Sequence, residues 1–130
     1  MRVIVAGSRD FKNIELVYSF INLCPFKITE LVSGGAAGID KIGEMWAEEN
    51  KVPIKKFIPE YHNLNPIIAP LLRNIEMAEY ADALIAVWKD QSNGTKHMIE
   101  QMIKRHKPYV VMELDPQEEI VGDIHVYAGG

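Results

Sequence analysis

Glycine, serine and threonine residues are concentrated in three short segments of this 130-residue chain, and each segment follows a run of apolar residues. The segments are residues 7–11, 33–40 and 89–95. Glycine allows the backbone to turn sharply and to approach a ligand closely, and the free N–H groups at the start of a following helix attract an anion. This combination predicts a site for a phosphate-bearing ligand.

A structural explanation of the same glycines has to be weighed beside the functional one. Any α/β protein needs glycine in tight turns between strand and helix, so a single loop of this kind favours neither explanation. Here Gly34, Gly35 and Gly38 precede one predicted helix, while Gly94 and Thr95 begin another. Two helix N-termini directed at one cleft favour the phosphate site.

Strands and helices are predicted to alternate along the chain. Continuous apolar runs, typical of strands buried on both faces, lie at residues 2–6, 28–33, 52–58, 83–88 and 108–112. Apolar residues at helical spacing predict helices over residues 13–24, 39–50, 66–80 and 95–106, with Asn13 and Asn65 as N-caps.

Such alternation implies parallel strands joined by right-handed crossovers. We therefore expect a doubly wound, Rossmann-like α/β three-layer sandwich with a five-stranded, mainly parallel sheet of order 3-2-1-4-5. Residues 1–113 form the predicted ligand-binding domain, and residues 114–130 form an acidic C-terminal tail that either pairs at a sheet edge or frays. In a sheet of this order the ligand binds where the chain changes direction, between strands one and four.

Composition and motifs exclude several classes of protein. A net charge of −4 argues against nucleic acid as a partner, and the single cysteine, Cys24, cannot form an internal disulfide. The absence of a long apolar run predicts no membrane segment and a cytoplasmic location. The histidines lack metal-ligand spacing, so neither a metal nor a cofactor is implied; they are His62, His97, His106 and His125.

Two familiar nucleotide motifs are also missing. The first loop lacks the Gly-x-Gly-x-x-Gly pattern of dinucleotide-binding folds, which argues against nicotinamide redox chemistry. The sequence Gly94-Thr95-Lys96 reverses the order of a P-loop, which argues against ATP hydrolysis of that type.

Four motifs taken together resemble the YspA-related branch of the SLOG superfamily. They are Val5–Phe11, Ser33–Asp40, Arg73-Asn74 and Ser92–Thr95, and the resemblance extends from Met1 to Met112. That superfamily joins the DNA-processing Smf proteins to the Lonely Guy phosphoribohydrolases, and its YspA-related branch is thought to sense or process nucleotide-derived ligands. The resemblance implies that the ligand here is a nucleotide or a nucleotide derivative.

Comparison with the phosphoribohydrolases implies roles for individual residues. In those enzymes a Gly-Gly-x-Gly-Thr loop holds phosphate, an arginine lies over the ligand, and a glutamate three residues after the threonine assists cleavage of the N-glycosidic bond. Gly94, Thr95 and Arg73 match this pattern, but Met98 stands at the glutamate position. The predicted ligand-binding residues are Gly7, Ser8, Arg9, Ser33, Gly34, Gly35, Gly38, Asp40, Arg73, Asn74, Ser92, Gly94 and Thr95.

Some of these residues have alternative roles. Asp40 at a helix start is expected to cap free N–H groups, with a ribose hydroxyl as its functional alternative. Arg9 either reaches the ligand or pairs with Asp10 or Asp40, and Arg73 without a ligand is a solvated residue beside a core stripe.

Three functions remain open at this stage. Binding of a nucleotide-derived small molecule is preferred; N-glycosidic cleavage with Asp40 or Glu100 in place of the missing glutamate is the second, and Smf-like single-strand DNA binding is the third. We also expect a homodimer, because the helices that carry Trp46 or the cluster Ile67, Ile68, Leu71 and Leu72 have more apolar surface than one sheet face covers.

Overall fold

The computed structural model of the chain describes residues 1–60, 65–89 and 92–130. Its elements in chain order are β1 (Arg2–Gly7), α1 (Ile14–Leu23), β2 (Glu30–Ser33), α2 (Ile39–Glu49), β3 (Ile54–Lys56), α3 (Ile68–Tyr80), β4 (Ala83–Lys89), α4 (Asn93–Lys104), β5 (Tyr109–Leu114) and β6 (His125–Tyr127). The predicted loop over residues 59–65 and the loop after β4 both fall partly outside the described residues, as does His62.

The sheet has the order β3-β2-β1-β4-β5-β6, which confirms the predicted order of the first five strands. Those five strands are parallel to their neighbours, whereas β6 pairs antiparallel with β5. The fold is therefore the expected doubly wound α/β sandwich, extended at one edge by a sixth strand from the C-terminal segment.

The alternation of side chains along β1 divides the core into two layers. Val3 and Val5 face the layer covered by α1 and α2, while Ile4 and Ala6 face the layer covered by α3 and α4. Because both faces of the central strands are buried, their sequence reads as a continuous apolar run. The site-forming loops are thus held by strands that are fixed on both sides.

Local backbone chemistry sets the ends of several elements. Asn13 accepts a hydrogen bond from the Leu16 N–H and so caps α1 as expected. β3 begins only at Ile54, since Pro53 has no N–H to donate to a neighbouring strand. α4 begins at Asn93, two residues earlier than predicted, because the Lys96 N–H donates to the Ser92 carbonyl and closes a turn there.

Candidate functional site

A cavity of about 440 Å³ lies at the C-terminal ends of β1 and β4, where the chain changes direction across the sheet. Its wall includes these predicted residues: Gly7, Ser8, Arg9, Gly34, Asp40, Arg73, Asn74, Ser92, Gly94 and Thr95. Three other predicted residues, Ser33, Gly35 and Gly38, are not part of the wall. The loops after β1 and β2, helix α3, the end of β4 and the start of α4 therefore meet around one space.

The first loop is held by contacts that explain its small residues structurally. A Cβ atom on Gly7 would stand 2.0 Å from the Val87 carbonyl oxygen, so any larger residue would push β1 away from β4. Ser8 Oγ donates to the Lys89 carbonyl at 2.8 Å and accepts from the Lys89 N–H at 2.9 Å. Gly7 and Ser8 thus join two strand ends and form the floor of the cavity.

Two glycines of the second loop, Gly35 and Gly38, also have structural roles. Gly38 adopts φ +73°, and a Cβ there would stand 2.3 Å from the Ser8 carbonyl oxygen, so glycine allows the first two loops to touch. Gly35 likewise has φ +73° and packs near Ile58. The close approach of backbone to backbone explains glycine at position 38 without a ligand, and the positive φ explains it at position 35.

Asp40 is the most perturbed acid of the cavity. It is 6 % exposed, and its Oδ2 accepts a hydrogen bond from the Ala36 N–H at 3.3 Å. Burial raises the pKa of the Asp40 carboxyl to about 6, although the Ala36 hydrogen bond and the charge of Arg73 act to lower it. The carboxyl therefore caps an N–H of its preceding loop rather than the start of α2, where Gly38 is the N-cap.

Arg73 connects α3 to the loop after β2. Its Nη1 donates to the Gly34 carbonyl at 2.6 Å, and its Nε donates to Asn74 Oδ1 at 3.1 Å. The buried Asn74 in turn donates through Nδ2 to the Gly94 carbonyl at 3.2 Å. One arginine and one asparagine therefore hold together the second loop, α3 and the first turn of α4.

The start of α4 forms the wall opposite that loop. The first N–H groups of a helix have no intrahelical acceptor and carry partial positive charge, which makes this end suitable for an anion. Ser92 Oγ donates to Thr95 Oγ1 at 3.0 Å, which orients the buried threonine hydroxyl. A Cβ added at Gly94 would meet no atom of the described residues within 4 Å, so their packing gives no reason for glycine at this position.

The charged groups of the cavity wall are mixed in sign. Arg9, Arg73 and Lys89 supply positive charge, while Asp10 and Asp40 supply negative charge. The charge of Arg9 acts on Asp40 and lowers its pKa, whereas Asp10 lies 3.6 Å from Lys89 Nζ. Among the described residues, neither of the two pairings considered for Arg9 is an ion pair within 4.0 Å, and its charge acts on Asp40 only at longer range.

Apolar side chains complete the wall beside the charged groups. They are Pro70, Leu71, Met77 and Met98. Met98, at the position of the phosphoribohydrolase glutamate, is 2 % exposed and presents a thioether instead of a carboxyl group. Glu100, considered as a replacement acid, is exposed on α4 and is not part of this wall.

A buried glutamate behind the second loop was missed at the level of sequence. Glu44 of α2 is 3 % exposed; its Oε2 accepts from Ser33 Oγ at 2.6 Å, and its Oε1 lies 3.2 Å from Lys56 Nζ. Ser33 Oγ also accepts from the Gly35 N–H at 3.1 Å. Glu44 and Ser33 thus fix the loop whose Gly34 carbonyl holds Arg73, although neither lines the cavity.

Lys89 is a second missed residue, and unlike Glu44 it lines the cavity. It is the last residue of β4, at the strand end where ligands of such sheets bind, and this placement was the signal available in the sequence. Within the described residues, no group of three His, Cys, Asp or Glu side chains is arranged to hold a metal ion. Nor does any helix in these residues have the length and apolar character that crossing a membrane requires.

The doubly wound sheet with a cavity over its strand ends defines the chain as a Rossmann-like α/β protein. The model of the YspA, cpYpsA-related SLOG family matches residues 1–63. The gene 61 protein of Mycobacterium phage D29 is 30 % identical over 118 residues, which cover 84 % of this chain and 94 % of that protein. The chain belongs to the YspA, cpYpsA-related SLOG family.

Two solved structures share the fold. DNA processing protein A (DprA) from Streptococcus pneumoniae superposes with a TM-score of 0.66 at 20 % identity over 87 % of this chain, which spans only 50 % of that protein. The structural genomics target TM1055 superposes with a TM-score of 0.60 at 17 % identity, covering 84 % of this chain and 72 % of that one. Both similarities support the fold, and neither assigns a ligand.

Proposed function

We propose that this protein binds a nucleotide or a nucleotide-derived small molecule in the cavity above β1 and β4. In this proposal the phosphate lies at the start of α4, against Gly94 and Thr95, and Arg73 supplies the opposing positive charge. The observation that carries the proposal is that three features border one cavity: a helix N-terminus, an arginine, and a glycine whose added Cβ would meet no described residue within 4 Å. A volume of about 440 Å³ lies within the range of small-molecule sites.

The cavity wall has an apolar part, which suits the base of such a ligand, and a charged part, which suits its phosphate. Apolar Pro70, Leu71, Met77 and Met98 offer a surface for a base, and Asp40 is available to a ribose hydroxyl. Arg73 is already oriented by Gly34 and Asn74, so a phosphate gains a guanidinium that needs little reordering. The proposal thus assigns charge to one part of the cavity and a planar apolar group to another.

Thermal unfolding with a matched set of compounds tests this function. Nucleoside monophosphates should stabilise the protein, and a ligand at 100 times its dissociation constant adds about 2.7 kcal/mol to the free energy of unfolding. The matched nucleosides, which lack phosphate, should stabilise it far less. If no phosphorylated compound stabilised the fold more than its nucleoside, the proposal would be wrong. Short single-stranded oligonucleotides in the same set test the DNA-binding alternative.

A second candidate function is hydrolysis of the N-glycosidic bond, favoured by the pKa of about 6 of Asp40. A carboxyl group with such a pKa exchanges protons near neutrality, as a general acid or base requires. Water would add to the sugar carbon as the bond to the base breaks, and the base would leave with a proton. Release of free base and ribose phosphate, lost in Asp40→Asn, would establish it; no product with any monophosphate that binds would exclude it.

A homodimer is part of the proposal as well. Trp46 contributes no surface to it, because its side chain is buried and its Nε1 donates to Asn22 Oδ1 at 3.0 Å. The start of α3 does expose apolar residues, with Ile67 76 %, Ile68 48 % and Leu72 40 % exposed. Sedimentation of the protein at micromolar concentration distinguishes a dimer from a monomer.

A further inference from the structure

The C-terminal segment places a carboxylate on a lysine of the candidate site. Glu118 Oε2 lies 3.2 Å from Lys89 Nζ, and Lys89 lines the cavity. The side chains of this pair are 19 % and 10 % exposed, so the contact is largely shielded from water. Asp10 also approaches Lys89: its carboxylate lies 3.6 Å from Lys89 Nζ on a side chain that is 77 % exposed, and its carbonyl accepts from Lys89 Nζ at 3.4 Å. Among the described residues, Glu118 is the less exposed of the two carboxylates on this cation and the nearer one.

The turn that carries Glu118 is built around a second acid. Asp115 Oδ1 accepts from the Gln117 N–H at 2.9 Å and from the Glu119 N–H at 3.0 Å. The Glu118 N–H donates to the Asp115 carbonyl at 2.9 Å, and the Asp115 N–H donates to the Glu119 carbonyl at 2.9 Å. The turn is anchored to the sheet on both sides, by the bridge between Leu114 and Ile120 and by the Val121 N–H on the Glu113 carbonyl.

Glu118 adopts φ +63°, a left-handed conformation that is unfavourable for a residue with a Cβ atom. Glycine would meet the backbone requirement without that cost, so the side chain at this position needs another explanation. Its contact with Lys89 provides one. Burial lowers the pKa of Lys89, but the Glu118 hydrogen bond and the charges of Asp10 and Glu118 outweigh this effect and raise it.

We propose that Glu118 is a specificity-determining residue, which withholds Lys89 from the ligand and so restricts the cavity to ligands with a single phosphate group. The inference rests on the proposed function. A first phosphate binds at α4 with Arg73, whereas a second phosphate extending toward Lys89 meets an ammonium that is already neutralised. It also meets a carboxylate in a poorly solvated position, where like charges repel strongly.

Binding of AMP and ADP to the wild-type protein and to Glu118→Gln tests this role. The wild-type protein should bind AMP at least about tenfold more tightly than ADP, and Glu118→Gln should reduce that preference by about tenfold. Inorganic phosphate and pyrophosphate, which carry no base, should show the same change of preference. The matched control is Glu119→Gln, since Glu119 is exposed and has the same charge in the same turn. It should leave the preference unchanged.

A second variant separates selectivity from folding. Glu118→Gly removes the carboxylate and accepts φ +63° readily, so it should unfold at a temperature no lower than the wild-type protein and should lose the preference for AMP. If AMP binds but the AMP to ADP ratio is the same in the wild-type protein and both variants, this inference is wrong and the proposed function stands. If neither nucleotide nor phosphate binds the wild-type protein, both are wrong.

Discussion

Ser33 Oγ donates a hydrogen bond to Glu44 Oε2 at 2.6 Å, and both residues are almost completely buried. The same hydroxyl oxygen accepts from the Gly35 N–H, so it holds the loop whose Gly34 carbonyl accepts from Arg73. A buried carboxylate on α2 thereby fixes the position of a guanidinium on α3 through backbone that lies between them. Glu44 and Ser33 act on the site as positioning residues, because neither reaches the cavity.

This relationship predicts coupling between Ser33 and Arg73 in ligand binding. Ser33→Ala should weaken nucleotide binding severalfold in the wild-type background and should have little further effect in Arg73→Ala, since its influence passes through the arginine. Calorimetric titration of the two single variants and the double variant measures the coupling. Lys41→Ala is the control, because Lys41 is 63 % exposed and 3.8 Å from Glu44. Additive losses in the double variant would contradict the prediction.

Substitution of Arg73 should reduce ligand affinity more than stability. Arg73→Ala is expected to weaken nucleotide binding by about 1.5–3 kcal/mol, the range for hydrogen bonds to charged groups. Because Arg73 also donates to Gly34 and Asn74, the substitution should lower the free energy of unfolding of the unliganded protein by a smaller amount, about 1 kcal/mol. Chemical denaturation measures this change. Thr95→Val, which keeps the backbone N–H, should weaken binding less. Unchanged affinity in Arg73→Ala would place the arginine outside the site.

Two glycines of the cavity wall should respond in opposite ways to alanine. Gly94→Ala should stabilise the unliganded protein by up to about 1 kcal/mol, because alanine favours the helix and the methyl group meets no atom of the described residues within 4 Å. It should also weaken nucleotide binding, since the methyl group would stand where the ligand approaches α4. Gly7→Ala should destabilise the fold by about 1–3 kcal/mol through its clash with Val87. Tighter binding by Gly94→Ala would contradict the proposed position of the phosphate.

Asp40 predicts a particular dependence of stability on pH. Its pKa is raised from 3.8 to about 6 in the folded state, so the folded protein binds more protons than the unfolded chain between these values. The carboxyl therefore adds its full contribution to the free energy of unfolding below about pH 4, and this contribution is lost as the pH rises to about 6. Across that pH range the free energy of unfolding of the wild-type protein should fall by roughly 3 kcal/mol relative to that of Asp40→Asn. Denaturation of both proteins between pH 4 and pH 7 measures the difference.

The order of the sheet could be predicted because its strands are buried on both faces and alternate with amphipathic helices. β1 and β4 each show the continuous apolar run that a central parallel strand requires. β6 could not be predicted with the same security, since it has three residues and two of them are exposed. Its place in the sheet depends on backbone pairing with β5, which leaves almost no hydrophobic pattern in the sequence.

The loops of the site were recognisable, whereas their support was not. Gly94 and Thr95 stand at a strand-to-helix junction, and such positions can be read from local sequence. The local sequence predicts that Glu44 is an ordinary surface residue of an amphipathic helix. Only its spacing of four residues from Asp40 indicates that both side chains face the same loop. Arg73 donates to a carbonyl 39 residues away and Lys89 to a carboxylate 29 residues away, so these contacts depend on tertiary structure.

Trp88 places an intrinsic fluorophore next to the candidate site, in contact with Ser92 of the cavity wall. Its indole Nε1 donates to the Ser92 carbonyl at 3.1 Å, at the N-cap of α4, so we expect the proposed ligand at that helix to change the hydrogen bond of the fluorophore. The other tryptophan, Trp46, is anchored to Asn22 in the core layer on the opposite face of the sheet. Trp46→Phe would leave an emission spectrum from one indole, one hydrogen bond away from the start of α4, without any attached label.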